Sequence, residues 1–342
     1  MTKKNVNIKD VAAVAGVHSS TVSRVLNPET RRMVSKAVAD RVARIANEMG
    51  YARSSLAYGL RTGRTHTVGV VIPDLTNPLF PPIIRQIEST LSEQGYIAIF
   101  ADTDNNQSNE MAIVRSLKFR NVDGLILATA HRMDSVVNAC VDDDIPLVLM
   151  NRTIDSHAVT AVINDDGYGI ELAVSHLVEL GHQSIAYLGW PQDTSTGHDR
   201  FQAFKNLERS GTFKSHSDLI LNCKAFTAAE GHKGFLSILD KNREFTAVVA
   251  ANDLLALGCY DAMEKLGLEC PVDISVTGFN DMPFMDRISP PLTSLRIPRH
   301  EIGEQAAKLL LERIKDPESL VRTISQRPEL VIRGSTAAPK SR

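Results

Sequence analysis

The chain has 342 residues, 43% of them hydrophobic and 23% charged, with a net charge of −2. That length predicts two or three domains, and that balance excludes disordered and fibrous chains. No run approaches the ~18 apolar residues of a membrane span, no secretory pattern opens the chain, and Cys140, Cys223, Cys259 and Cys270 form no C-x-x-C pair, which argues against a zinc site or disulfide framework and fits a reducing cytoplasm.

The charge is unevenly placed. Residues 1–64 carry twelve Lys/Arg against four Asp/Glu, a net +8 that leaves −10 for the remainder. A basic head on an acidic body is the footprint of a polyanion-binding module, with a solvated basic face as the alternative. Asn7 with Asp10 three residues on predicts a capped helix start, Ile8, Val11, Ala12 and Ala15 have helical spacing, and Gly16 predicts the stop. A second short helix is predicted over Ser19–Leu26, ended by Asn27-Pro28 because proline disfavours helical geometry in the residue before it. Val38, Val42, Ile45 and Met49 predict a third helix, closing at Gly50. Two short helices joined by a tight glycine turn and backed by a third make a helix-turn-helix unit.

Ile8-Lys9-Asp10-Val11-Ala12, Ala15-Gly16-Val17 and Ser20-Thr21-Val22-Ser23-Arg24-Val25-Leu26-Asn27 together resemble the signature of the lactose-repressor (LacI/GalR) family of bacterial regulators. The resemblance implies that Ser19, Ser20 and Arg24 contact bases in the major groove. Arginine suits that role because its planar fork bonds guanine O6 and N7 together. Thr21 and Ser23 are expected on phosphate oxygens, which set register without carrying sequence information. His18 departs from the family, which usually has serine there as the cap; either Ser19 takes over the cap or the imidazole faces the phosphate backbone.

Residues 51–63 resemble the family's hinge, which implies a short helix formed when two copies meet on DNA, with Leu56 wedged into the minor groove. Wedging costs a few kcal/mol per base step and is offset by wider contact on bent DNA. Arg53-Ser54 and Tyr58-Gly59 depart from the usual hinge, and Gly59 adds about 1 kcal/mol relative to alanine. A plain flexible linker is the alternative.

From Thr67 the sequence alternates strands with amphipathic stretches. Val68–Ile72, Tyr96–Phe100, Gly124–Leu127, Leu147–Met150, Ser184–Leu188, Ala247–Ala250 and Ile274–Thr277 predict strands, with helical stretches at Ile83–Gln94, Ile170–Leu180 and Leu254–Leu266. That alternation predicts parallel sheets covered by helices on both faces, with ligands bound beyond the carboxyl ends of the strands. The expected fold class is α/β: an all-helical helix-turn-helix domain plus a two-lobed, periplasmic-binding-protein-like body. The expected domains are 1–50, a hinge at 51–64, and a body at 65–342. One lobe is placed at about 65–162 and 293–323, the other at about 163–292 and 324–342.

Motifs at the strand ends, among them Ile72-Pro73-Asp74, Ala251-Asn252-Asp253 and Gly278-Phe279-Asn280-Asp281, extend the resemblance over the body. It implies an effector cleft holding Asp74, Asn77, Phe80, Asn151, Thr196, Arg200, Asn252, Asp253 and Asn280. Carboxylates, amides and an arginine pair with adjacent hydroxyls, and an aromatic covers an apolar face, so a sugar suits the set. Asp253 has a second reading as a helix cap, Arg200 as a surface charge, and Trp190 as cleft wall or core. Relatives often carry aspartate at the positions of Asn151 and Asn280; the amides disfavour a cationic effector. No nucleotide loop, nucleophile elbow or H-E-x-x-H appears, and His176 and His182 are expected in capping or core roles, so neither enzyme chemistry nor a metal or cofactor is expected. A transport binding protein would share the body's fold but not the basic head. The expectation is a cytoplasmic, homodimeric regulator, repression being the expected mode, that binds a pseudo-palindromic operator under control of a small-molecule effector and does not enter a membrane.

Overall fold

A computed structural model of the chain describes residues 6–51, 64–156, 159–242 and 244–340. The chain divides into two compact units, Met1–His66 and Thr67–Arg342.

The first unit holds α1 (Ile8–Ala15), α2 (Ser19–Val25), α3 (Pro28–Arg31) and α4 (Lys36–Glu48). Asn7 Oδ1 accepts the Lys9 and Asp10 amides at 2.9 and 3.2 Å, while Asp10 Oδ2 accepts the Asn7 amide at 2.9 Å. Such a reciprocal cap contributes about 1 kcal/mol by satisfying amides that have no helical partner. Gly16 ends α1 in the left-handed region, φ 63°, where a side chain would be strained. Val11, Ala15, Val22, Val25, Val42 and Ala46 then close a small core between α1, α2 and α4. Pro28 follows the end of α2 and opens α3, at a helix start where its missing amide has no cost.

The second unit is built on two six-stranded sheets. The first runs β11-β5-β4-β3-β1-β2, with β1 Thr67–Ile72, β2 Ile97–Asp102, β3 Gly124–Leu127, β4 Leu147–Met150, β5 Ala161–Asn164 and β11 Thr323–Gln326. The second runs β12-β10-β9-β8-β6-β7, with β6 Ile185–Gly189, β7 Ile220–Asn222, β8 Ala247–Ala250, β9 Ser275–Asn280, β10 Thr293–Arg296 and β12 Glu329–Val331. Every pairing among these strands is parallel except β10 with β12. Central strands such as Leu125-Ile126-Leu127 and Leu147-Val148-Leu149-Met150 are buried along their length, which is why they read as continuous apolar runs rather than alternating ones.

Helices cover the sheets. The first carries α5 (Phe80–Glu93), α6 (Gln107–Phe119), α7 (Ser135–Asp142) and α12 (Arg299–Lys315); the second carries α8 (Asp166–Glu179), α9 (Ser195–Arg209), α10 (Ala228–Lys241) and α11 (Asp253–Leu266). In α5, Ile83, Ile87 and Leu91 recur at four-residue spacing and are all fully buried. Each contributes about 1.5–3 kcal/mol by leaving water.

The chain passes between the lobes three times, after β5, after β10 and between β11 and β12. All three lobe boundaries differ from expectation: the first, expected between 162 and 163, falls inside β5, which stays with the first sheet through Asn164. Thr293–Arg296, expected to open the return to the first lobe, pairs instead with β9, Thr293 opposite Thr277 and Leu295 opposite Phe279. The C-terminal segment ties it to the same lobe: the Thr293 amide donates to Ser335 Oγ at 2.8 Å. The return therefore follows Ile297. At the last passage β11 stays with the first sheet through Gln326, paired to Asn164, beyond the expected 323. Among the described residues no helix is long and apolar enough to cross a membrane.

Candidate functional site

The first site is a helix face. Val22 and Val25 anchor α2 in the core, leaving Ser20 and Arg24 exposed and Ser19, Thr21 and Ser23 half-buried. The residues expected to meet DNA thus share one small polar surface. Its cap is His18 itself: Nδ1 accepts the Ser20 amide at 3.3 Å and lies 2.9 Å from Ser20 Oγ. Of the two alternatives for His18, Ser19 as replacement cap is therefore corrected; the ring nitrogen supplies the missing acceptor. Leu56 and the other hinge residues from 52 to 63 lie outside the described residues.

The second site is a cleft of about 560 Å³ between the lobes, at the carboxyl ends of the strands. Loops after β1, β2 and β4 bring Asp74, Asn77, Leu79, Phe80, Asn105, Asn151 and Arg152 to one wall. From the second lobe come Thr196 and Arg200 of α9, Ala225, Phe226 and Thr227 after β7, Asn252 after β8, and Asn280 at the end of β9. Eight of the nine expected effector residues line it.

Asp253 does not. It is fully buried, and its carboxylate accepts the Met282 amide at 2.7 Å and the Ser294 hydroxyl at 2.5 Å. Burial pushes its carboxyl up to about 7 against the pull of those two bonds. Asp253 ties the loop after β9 to α11 and β10. Nor does it cap α11; that role falls to Asn252, whose Oδ1 accepts the Leu255 amide at 2.9 Å.

Backbone geometry aims the asparagines. Asn105, Asn151 and Asn280 sit in the left-handed region, φ 52°, 66° and 105°. Asparagine tolerates that region better than most residues, and strain of this kind collects at ligand sites. Asn77 and Asn151 use their carbonyl oxygens locally, on the Leu79 amide at 3.0 Å and Asn164 Nδ2 at 3.1 Å. The buried Asn280 Oδ1 takes no partner among the described residues.

Arg200 is buried rather than a surface charge. Nε and Nη2 both reach Asp166 Oδ1, at 2.8 and 2.7 Å, Nη1 donates to the Ala251 carbonyl at 2.5 Å, and the guanidinium lies 3.7 Å from the Phe279 ring centre. The protein thus holds most of its donors before any ligand arrives.

Sequence reasoning missed Arg152, Asn105 and Phe226. Arg152 is fully enclosed, donates from Nη1 to the Thr129 carbonyl at 3.3 Å, and is held down to about 10 by burial. It directly follows Asn151 at a strand end, which is the signal that was available. Phe226 stacks on Trp190 with ring centres 3.5 Å apart and planes within 2°, a contact no local pattern predicts. The two histidines are structural: His176 Nε2 meets Thr336 Oγ1 at 2.9 Å, and His182 Nε2 donates to the Ala337 carbonyl at 2.9 Å. Among the described residues no cluster of three metal-ligating side chains occurs.

Comparison with known proteins recognises both units of the chain. Residues 7–54 match the family described as bacterial regulatory proteins, lacI family, and residues 174–336 match the periplasmic binding protein-like domain. The HTH-type transcriptional repressor PurR of Vibrio vulnificus is 34% identical over 330 residues, spanning 95% of this chain and 97% of that protein. The PurR repressor of Aliivibrio fischeri is 31% identical over 331 residues, spanning 96% and 97%. Among solved structures, the lac repressor dimer bound to operator and the anti-inducer ONPF superposes with a TM-score of 0.85 at 25% identity, covering 98% of this chain and 100% of that one. The CelR–cellobiose complex superposes at 0.74 with 28% identity, covering 96% and 99%. A ribose-bound LacI family regulator from Enterococcus faecium superposes at 0.70 with 32% identity, covering 80% and 99%. A helix-turn-helix head with a polar reading face, a two-lobed body with a polar cleft, and full-length likeness to repressors lead to one conclusion: this chain belongs to the LacI family of bacterial regulatory proteins and is a DNA-binding transcriptional regulator with an effector-binding body, not an enzyme.

Proposed function

We propose that the protein is a cytoplasmic repressor that binds a pseudo-palindromic operator as a homodimer and adjusts its grip when an uncharged carbohydrate enters the interlobe cleft. The observation that carries the effector class is the set of five asparagines lining one cleft, Asn77, Asn105, Asn151, Asn252 and Asn280. An amide offers a donor and an acceptor on one rigid plane, which suits neighbouring hydroxyls and gives no net charge to attract an ion. Arg200 does not favour an anion, because Asp166 already neutralises it. Ligands of two structural relatives, cellobiose and ribose, are of the same class.

On DNA, α2 lies in the major groove, where Ser19, Ser20 and Arg24 meet base edges and Thr21 and Ser23 meet phosphates. One such helix reads few bases, so two copies on a two-fold site supply the specificity. The Leu56 pair wedges the operator centre. Calorimetric titration of the full chain with neutral sugars, sugar acids and amino sugars tests the effector class; binding confined to charged members overturns it. Selection from random duplexes tests the operator, where recovery of single asymmetric half-sites overturns the dimer.

A further inference from the structure

Ser20 and Arg24 are both exposed and lie four residues apart on α2, so they share one face of that helix. What Arg24 can offer a base edge is fixed by its type, because a guanidinium donates and never accepts. A serine hydroxyl ordinarily does both and pairs with either kind of edge. In this chain the Ser20 hydroxyl is not free to choose.

His18 Nδ1 receives two contacts from Ser20, the backbone amide at 3.3 Å and Oγ at 2.9 Å. A backbone amide can only donate. Nδ1 therefore carries no proton, and the ring proton of the neutral imidazole is assigned to Nε2. The shorter contact still needs a proton between its two atoms, and only the hydroxyl can supply it. Ser20 thus directs its single O–H at the imidazole and turns lone pairs outward. Among the described residues neither atom has another partner. Water competes for this exposed pair in the free protein. In a groove that water is displaced, and a hydrogen bond between the two side chains strengthens.

We propose that His18 is a positioning residue for base recognition: it makes Ser20 an acceptor-only reader, so that the base Ser20 meets is adenine or cytosine. Their exocyclic amines are the donors of the major groove, whereas guanine and thymine present acceptors there. Ser20 and Arg24 then read opposite polarities from one helix face. The proposal rests on the reading that Ser20 touches a base edge.

The test is gel-shift titration of the full chain on an operator recovered by selection, with each of the four base pairs placed in turn at every half-site position. One position is expected to favour the two pairs with an amino base, A or C, on one strand over the two with a keto base there. The expected preference is about fivefold, the size of one net hydrogen bond. An adenine at that position replaced by purine, which lacks the exocyclic amine, loses the same factor. His18→Asn keeps an acceptor at the cap and keeps the split. His18→Ala frees the hydroxyl and abolishes the split, as does Ser20→Ala; a cap with a purely structural role would instead weaken all four pairs equally. No amino–keto split at the position that Ser20→Ala alters, or a split that survives His18→Ala, overturns the assigned polarity. Ser20→Ala without effect on preference at any position overturns the base contact beneath it.

Discussion

Arg200 and Asp166 meet through a single oxygen: Nε and Nη2 of the guanidinium both lie within 2.8 Å of Asp166 Oδ1, on side chains 3% and 4% exposed. A residue expected to greet the effector is therefore first a structural strut joining α9 to α8. Breaking a buried pair leaves one charge without a partner, which typically costs about 3–5 kcal/mol. Asp166→Ala is expected to destabilise the body by that amount. Urea unfolding of parent and variant measures it; a loss under about 1 kcal/mol would place the pair among weak surface bridges.

Glu110 links stability to pH. Burial, helped by nearby Asp134 and opposed by the Thr129 hydroxyl and Arg152, pushes its carboxyl up to about 7 from 4.5. The folded state then holds a proton that the unfolded chain has already lost. The stabilisation from that proton is full below about 4.5 and fades as pH rises through 7. Glu110→Gln has no proton to lose. The stability difference between parent and variant is expected to move in the variant's favour by a few kcal/mol between pH 4 and 8, at about 1.4 kcal/mol per pH unit. A pH-independent difference in denaturation midpoints would refute it.

Asp253 supports the site without lining it. Asp253→Ala removes the acceptor for the Met282 amide and Ser294 hydroxyl, and is expected to cost about 1–3 kcal/mol for each buried donor left unpaired. Gly278→Ala disturbs the same contact from the other side, since a Cβ there would stand 2.3 Å from Asp253 Oδ1. Both variants should lower thermal stability and weaken effector binding through displacement of Asn280. Normal melting in both would show the Asp253 bonds to be dispensable.

Arg24 is the base-reading candidate on the exposed face of α2. Arg24→Ala is expected to cost about 1–3 kcal/mol of operator affinity and relax preference at one base pair per half-site. Gel-shift titration against single-base operator variants distinguishes this from a phosphate contact, for which affinity falls equally on every sequence.

Leu56→Ala is expected to weaken operator binding strongly, reduce the DNA bend, and leave binding to random duplex nearly unchanged, since the latter depends on charge and counterion release. An unaltered bend and operator affinity would make the hinge a plain tether.

Much of this protein was legible in the sequence because the signals were local. The Asn7–Asp10 cap, the Gly16 stop and the apolar spacing of α1, α2 and α4 each depend on residues a few positions apart. The buried strands announced themselves as short β-branched runs, because a strand covered on both faces needs no alternation. Resemblance then singled out eight residues that line one cleft. The short strands β5, β7, β10, β11 and β12 were not read, because polar residues such as Asn164, Asn222, Arg296 and Gln326 interrupt their apolar runs.

What only the tertiary structure decided depends on groups distant in the chain. Thr293–Arg296 looks the same in either lobe; pairing with β9 assigns it, since hydrogen-bond partners and not propensity choose a strand's sheet. Asp253 was readable as ligand or cap until Met282 and Ser294 were seen to claim its carboxylate. Arg152 and Phe226 carry no motif of their own, and they line the cleft only when two lobes, joined by three crossings, close around it. Sequence periodicity reports which face of an element is buried. It does not report against what, and for a polar side chain that difference separates a strut from a ligand.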